Sequence, residues 1–284
     1  MSDSFNTLRR AGAARLAAAG IDGAARDAEL LLRWAAALSG AALAARAEDP
    51  APPEARKRFE AALTRREARE PVSHILGGRE FYGRWFEVTP DVLDPRPESE
   101  VMIAAALETP EGHPPPRRVL DLGVGSGCLL CTMLAELPEA TGLGVDASRA
   151  ALQVARRNIG ALGLTDRARV AMGDWMDDLM EAFDLILCNP PYIAEAEIAG
   201  LAPEVAKYEP RAALTPGGDG LDPYRRIAPE LAAFLRRGGR AFFEIGPTQA
   251  EAAAEIFAAF GWPAPIVHRD LDGRDRCLEF RRRA

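Results

Sequence analysis

From Arg117 onward the chain switches repeatedly between two hydrophobic periods, and no other feature restricts its fold as much. Short apolar runs alternate with longer stretches whose apolar residues recur at helical spacing. Residues 118–121, 142–145, 169–172, 183–188 and 240–245 read as strands, and 149–162, 223–235 and 249–260 as helices. Residues 266–269 and 277–281 read as a final antiparallel pair. A chain of alternating strands and helices buries its apolar faces by forming a mostly parallel sheet covered on both sides, an α/β fold.

The first part of the chain differs in kind. Residues 1–72 are rich in Ala, Leu, Arg and Glu and carry few β-branched residues. Leu8, Ala11, Arg15 and Leu16 mark one helix and residues 28–38 a second. Pro50, Pro52 and Pro53 break the pattern before a third over 56–69. This predicts a small helical bundle. Residues 80–88 then alternate aromatic and polar side chains around Gly83, a hairpin signal. Pro90, Pro95 and Pro97 stiffen the segment over 91–100. The expected organisation is a bundle over 1–72, a β-hairpin linker over 73–92 and an α/β domain over 93–284.

Composition removes several classes of function. No run of about 18 apolar residues is free of charge, which excludes a spanning helix, and no secretory signal is expected at residues 1–10. A formal charge of −7 makes a protein that coats nucleic acid a poor expectation. Of the basic residues only Lys57 and Lys207 are lysine, so single arginines, including Arg281, Arg282 and Arg283, read first as solvated surface charge. Cys128 and Cys131 form one CxxC on one helix face, with no second pair and no nearby histidine. Together with Cys188 and Cys277 they read as buried thiols of a cytoplasmic protein, with no metal site expected.

The chemistry concentrates at strand ends. Asp121-Leu122-Gly123-Val124-Gly125-Ser126-Gly127 follows a strand and opens a helix. Glycines there allow a tight turn and a close backbone approach to a ligand. Such a turn could serve a dinucleotide, another nucleoside or only a sharp bend. The spacing is GxGxG rather than GxGxxG, and no Walker lysine follows. S-adenosylmethionine is the better match, since its amino-acid end needs backbone donors and its cationic centre tolerates carboxylates. Gly123, Val124, Gly125, Ser126 and Gly127 are therefore expected at the cofactor. Asp146, ending the next strand, can accept hydrogen bonds from ribose hydroxyls, with Ser148 free to cap the following helix. Asp174 and Trp175 end the third strand, where a polar group and an aromatic ring suit adenine.

Asn189-Pro190-Pro191-Tyr192 is the most specific element. Two prolines fix the backbone and remove two N–H donors, leaving acceptors in the Asn189 side chain and the Pro190 carbonyl. An amide NH2 offers two hydrogens to such a pair. Holding both orients the nitrogen lone pair towards a methyl donor. Asn189, Pro190 and Tyr192 are the expected catalytic residues, and Asn189 also borders the cofactor. With Pro191 the four form the expected substrate site, where Tyr192 can pack on the flat group.

At these residues the chain resembles the HemK/PrmC family of peptide chain release factor glutamine methyltransferases, over nearly its whole length. Asp94-Pro95-Arg96-Pro97-Glu98-Ser99-Glu100 is similar to the family's I-P-R-P-E-T-E signature, with Asp94 in place of a hydrophobic residue and Ser99 in place of a common threonine. Gly217-Gly218-Asp219-Gly220-Leu221, Glu244-Ile245-Gly246 with Gln249, and Asp270 to Arg276 match further blocks, and 27–32 resembles its N-terminal helix. The resemblance implies a class I S-adenosylmethionine-dependent methyltransferase, Rossmann-like with a mostly parallel seven-stranded sheet, an N-terminal helical bundle and a hairpin linker. It implies methyl transfer to the side-chain amide nitrogen of the glutamine in the Gly-Gly-Gln motif of release factors, with S-adenosylhomocysteine as product. Two alternatives stay open: a glutamine methyltransferase acting on a ribosomal protein, and an enzyme methylating the amino group of adenine in nucleic acid. The second must flip a base and grip a duplex, which usually needs a basic recognition region, and the basic clusters here are interleaved with acids or terminal.

Overall fold

A computed structural model describes residues 3–109, 114–177 and 179–283. The chain divides into two compact units, one running to Gly78 and including Ala202–Tyr208, the other comprising Arg79–Leu201 and the chain from Glu209.

The first unit is helical. Helices Phe5–Ala18, Ala24–Ala36 and Pro53–Glu67 match the three amphipathic stretches, and Gly40–Ala45 and Val72–Leu76 add two short helices that the periodicity did not announce. Ser4 caps the first helix by accepting the Thr7 N–H. Leu16, Leu31, Leu32, Phe59 and Leu63 fill the core. Arg66 is buried beside it, with Nε 2.8 Å from Asp27 Oδ2 and Nη1 2.9 Å from Glu204 Oε1. A buried guanidinium needs such paired carboxylates.

A hairpin comes next, β1 (Gly78–Phe81) and β2 (Arg84–Glu87), which lies in the second unit from Arg79 onward and is turned by Tyr82 and Gly83, both at positive φ. Seven strands follow: β3 (Arg118–Leu122), β4 (Thr141–Asp146), β5 (Ala168–Met172), β6 (Phe183–Cys188), β7 (Leu235–Glu244), β8 (Ile266–Arg269) and β9 (Asp275–Arg281). They form one sheet in the order β5-β4-β3-β6-β7-β9-β8. The first five are parallel, and β9 runs antiparallel between β7 and β8. The inner strands are largely buried on both faces because helices cover both, the edge strands β5 and β8 are mostly exposed, and two core clusters lie on either side of the sheet.

The helix expected over 223–235 is in fact two, Asp222–Ile227 and Leu231–Phe234, with Leu235 already in β7. Pro229 lies between them and cannot donate a helical hydrogen bond. Among the described residues no helix is long and apolar enough to cross a membrane.

Candidate active site

The strand order reverses about β3 and β6: β4 and β5 extend to one side, β7 to the other. Crossovers diverge at such a switch point and leave a crevice at the carboxyl ends of the strands. A cavity of about 350 Å³ opens there, within the size range of small-molecule sites. Gly123, Val124, Gly125, Ser126, Asp146, Asp174, Trp175, Asn189 and Pro191 all line it, so residues far apart in sequence meet at one place.

The glycine turn leaves β3 with Gly123, Gly125 and Gly127 at positive φ, where a side chain would be strained. The Gly123 and Val124 N–H groups donate to the Val145 carbonyl at 2.8 and 2.9 Å, tying the turn to β4. Gly127 lies outside the cavity lining and precedes helix Cys128–Glu136 as its N-cap. Asp121, buried at the end of β3, accepts the Leu130 N–H in that helix's first turn at 3.1 Å. Burial pushes its carboxyl well above the usual range, and Asp146 adds to the effect. Buried Asn158 bonds to the Ser126 and Glu87 carbonyls and to the Glu87 N–H, locking the turn to the hairpin.

Asp146 ends β4. Its Oδ2 accepts the Gly125 N–H at 2.9 Å and its Oδ1 the Ser148 N–H at 2.8 Å. Each oxygen keeps a further lone pair for a hydroxyl donor. Burial raises its pKa against those two bonds, so the carboxylate gains from added donors. Ser148 caps helix Arg149–Ala161 through the Ala151 N–H. Beyond β5, Asp174 is exposed, and Trp175 is half-buried at positive φ against the core. Cys128 also lines the cavity, and burial pushes its thiol up to about 12, leaving it neutral.

Asn189-Pro190-Pro191-Tyr192 leaves β6. Asn189 Nδ2 points at Ser99 Oγ across 3.4 Å, while its Oδ1 is buried and accepts no hydrogen bond among the described residues. An unmatched buried acceptor is costly unless something else supplies the hydrogen. Pro190 and Tyr192 lie outside the lining. The Tyr192 hydroxyl turns back to Glu244 Oε1 at 3.2 Å and receives Arg276 Nη1 at 3.3 Å. Burial and the Glu244 charge raise its pKa, keeping the phenol protonated.

Four supporting residues escape a motif-by-motif reading. Ser99 lines the cavity and donates to buried Glu244 Oε2 at 2.5 Å. Arg276 anchors Tyr192, and Gln249 Nε2 holds the Tyr192 carbonyl at 2.8 Å. The family blocks contain all four, but residue order alone gave no role. Arg96 closes another wall, with Nη2 2.7 and 2.8 Å from the two Glu209 oxygens. The unusual Asp94 is buried and paired with Arg79 at 3.0 Å, a pairing that accommodates a charge where the family usually places a hydrophobic residue. Among the described residues no cluster of His, Cys, Asp or Glu is arranged to hold a metal ion.

A sheet of this order, with a glycine turn, an acidic strand end and an Asn-Pro-Pro-Tyr turn around one crevice, defines a class I S-adenosylmethionine-dependent methyltransferase. Residues 7–77 match the family described as PrmC N-terminal domain, and 99–220 that described as methyltransferase small domain. The chain is 53% identical over 272 residues to the release factor glutamine methyltransferase of Cereibacter sphaeroides, covering 96% of each. It is 45% identical to that of Rhodospirillum rubrum, over 96% of this chain and 83% of the other. The chain belongs to the release factor glutamine methyltransferase family. Among solved structures, the hMettl16 catalytic domain in complex with MAT2A 3'UTR hairpin 1 aligns with a TM-score of 0.59 at 20% identity, over 76% of this chain and 80% of that one. A methyltransferase from Pyrococcus furiosus aligns with a TM-score of 0.51 at 17% identity, over 78% and 100%. These two likenesses concern the fold alone.

Proposed function

We propose that this enzyme methylates the side-chain amide nitrogen of the glutamine in the Gly-Gly-Gln motif of peptide chain release factors, in the cytoplasm, and so modulates translation termination. The observation that carries the amide chemistry of this reading is Asn189 Oδ1, buried beside the crevice and unmatched among the described residues, and the names of the relatives support the release factor as substrate. A substrate amide supplies the hydrogen that this oxygen lacks, and the Pro190 carbonyl takes the second. A carboxamide nitrogen is a poor nucleophile because its lone pair is delocalised. Fixing both hydrogens favours a pyramidal nitrogen and aims the lone pair.

The lining fits the cofactor. The positive-φ glycine turn lets the backbone approach a ligand closely, Asp146 has acceptor capacity for ribose hydroxyls, and Asp174 with Trp175 suits adenine. S-adenosylmethionine, when bound, supplies an electrophilic methyl group and leaves as S-adenosylhomocysteine. The nitrogen that gains the methyl while keeping both hydrogens carries a positive charge; this cation is strongly acidic and sheds one proton to water to give the neutral N-methyl amide, so no side-chain base is required. Residues 1–72 are assigned to grip the protein substrate, 73–92 to link, and 93–284 to catalysis. No nucleic-acid substrate is assigned.

The deciding assay incubates the enzyme with purified release factor or with the factor whose Gly-Gly-Gln glutamine is substituted, followed by mass spectrometry of that peptide. One added methyl on the unsubstituted factor alone is the expected result; equal labelling of both rejects the assignment. In calorimetry with S-adenosylhomocysteine, Asp146→Ala is expected to weaken binding by about 1.5–3 kcal/mol, the worth of a hydrogen bond to a charged group. Unchanged affinity removes Asp146 from the ribose site.

A further inference from the structure

An asparagine presents an acceptor only in one of two orientations. Rotating the amide by half a turn exchanges Oδ1 with Nδ2 and would aim an NH2 at the substrate's own NH2. Whatever bonds the outer atom therefore decides whether Asn189 works. That partner is Ser99 Oγ, 3.4 Å from Nδ2. A hydroxyl has one proton to give. Ser99 Oγ lies 2.5 Å from Glu244 Oε2, and a carboxylate can only accept. The proton goes to Glu244, so Ser99 faces Asn189 with a lone pair, and that lone pair selects Nδ2.

The other oxygen of Glu244 completes the arrangement. Oε1 accepts the Tyr192 hydroxyl at 3.2 Å, and Arg276 Nη1 donates to that hydroxyl from 3.3 Å. Arg276 also donates to Asp270 at 3.3 Å. The Glu244 backbone carbonyl accepts the buried Tyr224 hydroxyl at 2.7 Å, which fixes the end of β7. One buried carboxylate thus orients both ends of the Asn-Pro-Pro-Tyr turn.

We propose that Glu244 and Ser99 are positioning residues: the carboxylate directs the Ser99 hydroxyl, and the hydroxyl holds Asn189 with its oxygen towards the substrate amide. This rests on the functional reading above. Serine in place of the family's common threonine preserves the device, since both carry the hydroxyl. The polarity depends on the charge of Glu244. A protonated Glu244 can donate to Ser99, which then donates to Asn189 and turns the amide over. Arg276, Ser99 and Tyr192 face the carboxylate and favour its ionised form. Burial and the nearby Glu98 charge oppose it, and the surrounding Cys188, Cys277 and Tyr224 are neutral. Burial is the largest influence and raises the pKa above that of an ordinary glutamate. Activity is therefore present above that raised pKa and is lost as pH falls through it.

The test compares Ser99→Thr, Ser99→Ala and Glu244→Gln with wild type, using release-factor methylation for kcat across pH and calorimetry with S-adenosylhomocysteine for affinity. Ser99→Thr is expected to keep kcat within about threefold. Ser99→Ala and Glu244→Gln are expected to lose about tenfold to hundredfold in kcat, the scale of a small misplacement of a reacting group. Affinity for S-adenosylhomocysteine stays within about twofold, and the acid limb of kcat disappears in Glu244→Gln. Wild-type kcat in Ser99→Ala overturns the proposal, as does an acid limb that persists in Glu244→Gln or a kcat loss matched by an equal loss of affinity. Should Glu244→Gln not fold, the Ser99 pair decides, because it differs from wild type by one methyl or one oxygen. A wild type inactive on release factor overturns the functional reading, whereas wild-type kcat in Ser99→Ala overturns only the positioning.

Discussion

Asn189→Ala is expected to lower methyl transfer by about a hundredfold to a thousandfold, the usual cost of deleting one preorganised polar group that acts on the transition state. Cofactor affinity should change little, because the backbone of the glycine turn and the Asp146 carboxylate remain. Stability should change little as well. The Nδ2 contact to Ser99 is long, at 3.4 Å, and Oδ1 has no partner among the described residues, so the substitution removes one weak bond and one unmatched buried acceptor. The measurement is single-turnover methylation of release factor, with thermal unfolding and S-adenosylhomocysteine calorimetry alongside. An alanine variant with wild-type turnover would falsify the oriented-amide mechanism. A variant inactive only because it fails to bind S-adenosylhomocysteine would assign Asn189 to the cofactor instead.

Legibility in the sequence divides along a physical line. The glycine turn, Asp146 and the Asn-Pro-Pro-Tyr turn can be picked out as candidates because each is a local pattern, and the structure brings Gly123 to Ser126, Asp146, Asn189 and Pro191 to one cavity while Gly127, Pro190 and Tyr192 lie outside its lining. Backbone conformation, a strand end and a fixed pair of acceptors are written in consecutive residues. The alternation of periods likewise marked the parallel strands, since each strand carries its own apolar run. The support of the site is not local. Ser99 and Glu244 meet across 145 positions, and Asn189 and Ser99 across 90. Each alone is an ordinary polar residue in the sequence, and only the sheet order brings them together. Asp94 is similar: a charge where the family usually has a hydrophobic residue is partnered by Arg79, on β1. The single helix expected over 223–235 is broken by a local cause, Pro229, but the apolar spacing around it outweighed the missing donor. Gly217 to Gly220 matched a family block without revealing what the glycines are for, and one of them has a use that distance makes plain.

Gly220→Ala is expected to be the most damaging single-methyl change near the site. Gly220 has φ +80°, and a Cβ there would lie 2.2 Å from the Tyr192 backbone oxygen and 2.9 Å from its carbonyl carbon. That carbonyl cannot simply retreat, because Gln249 Nε2 holds it at 2.8 Å and would itself lie 3.0 Å from the new methyl. The left-handed backbone adds about 1–2 kcal/mol of strain for an alanine, and the overlap adds about 1–3 kcal/mol. The sum, about 2–5 kcal/mol, is a large share of an ordinary domain's stability. Methyl transfer should fall further than stability does, since moving the Tyr192 carbonyl shifts the turn that carries Asn189. Gly218→Ala is the matched control: its φ is also positive, at +55°, yet nothing among the described residues lies within 4 Å of its added Cβ. That variant should lose only the strain and keep near-wild-type turnover. Denaturant unfolding and methylation of both proteins separate the two causes. If the two substitutions cost the same, backbone strain alone explains the glycines, and the close packing of Gly220 against Tyr192 does not shape the site.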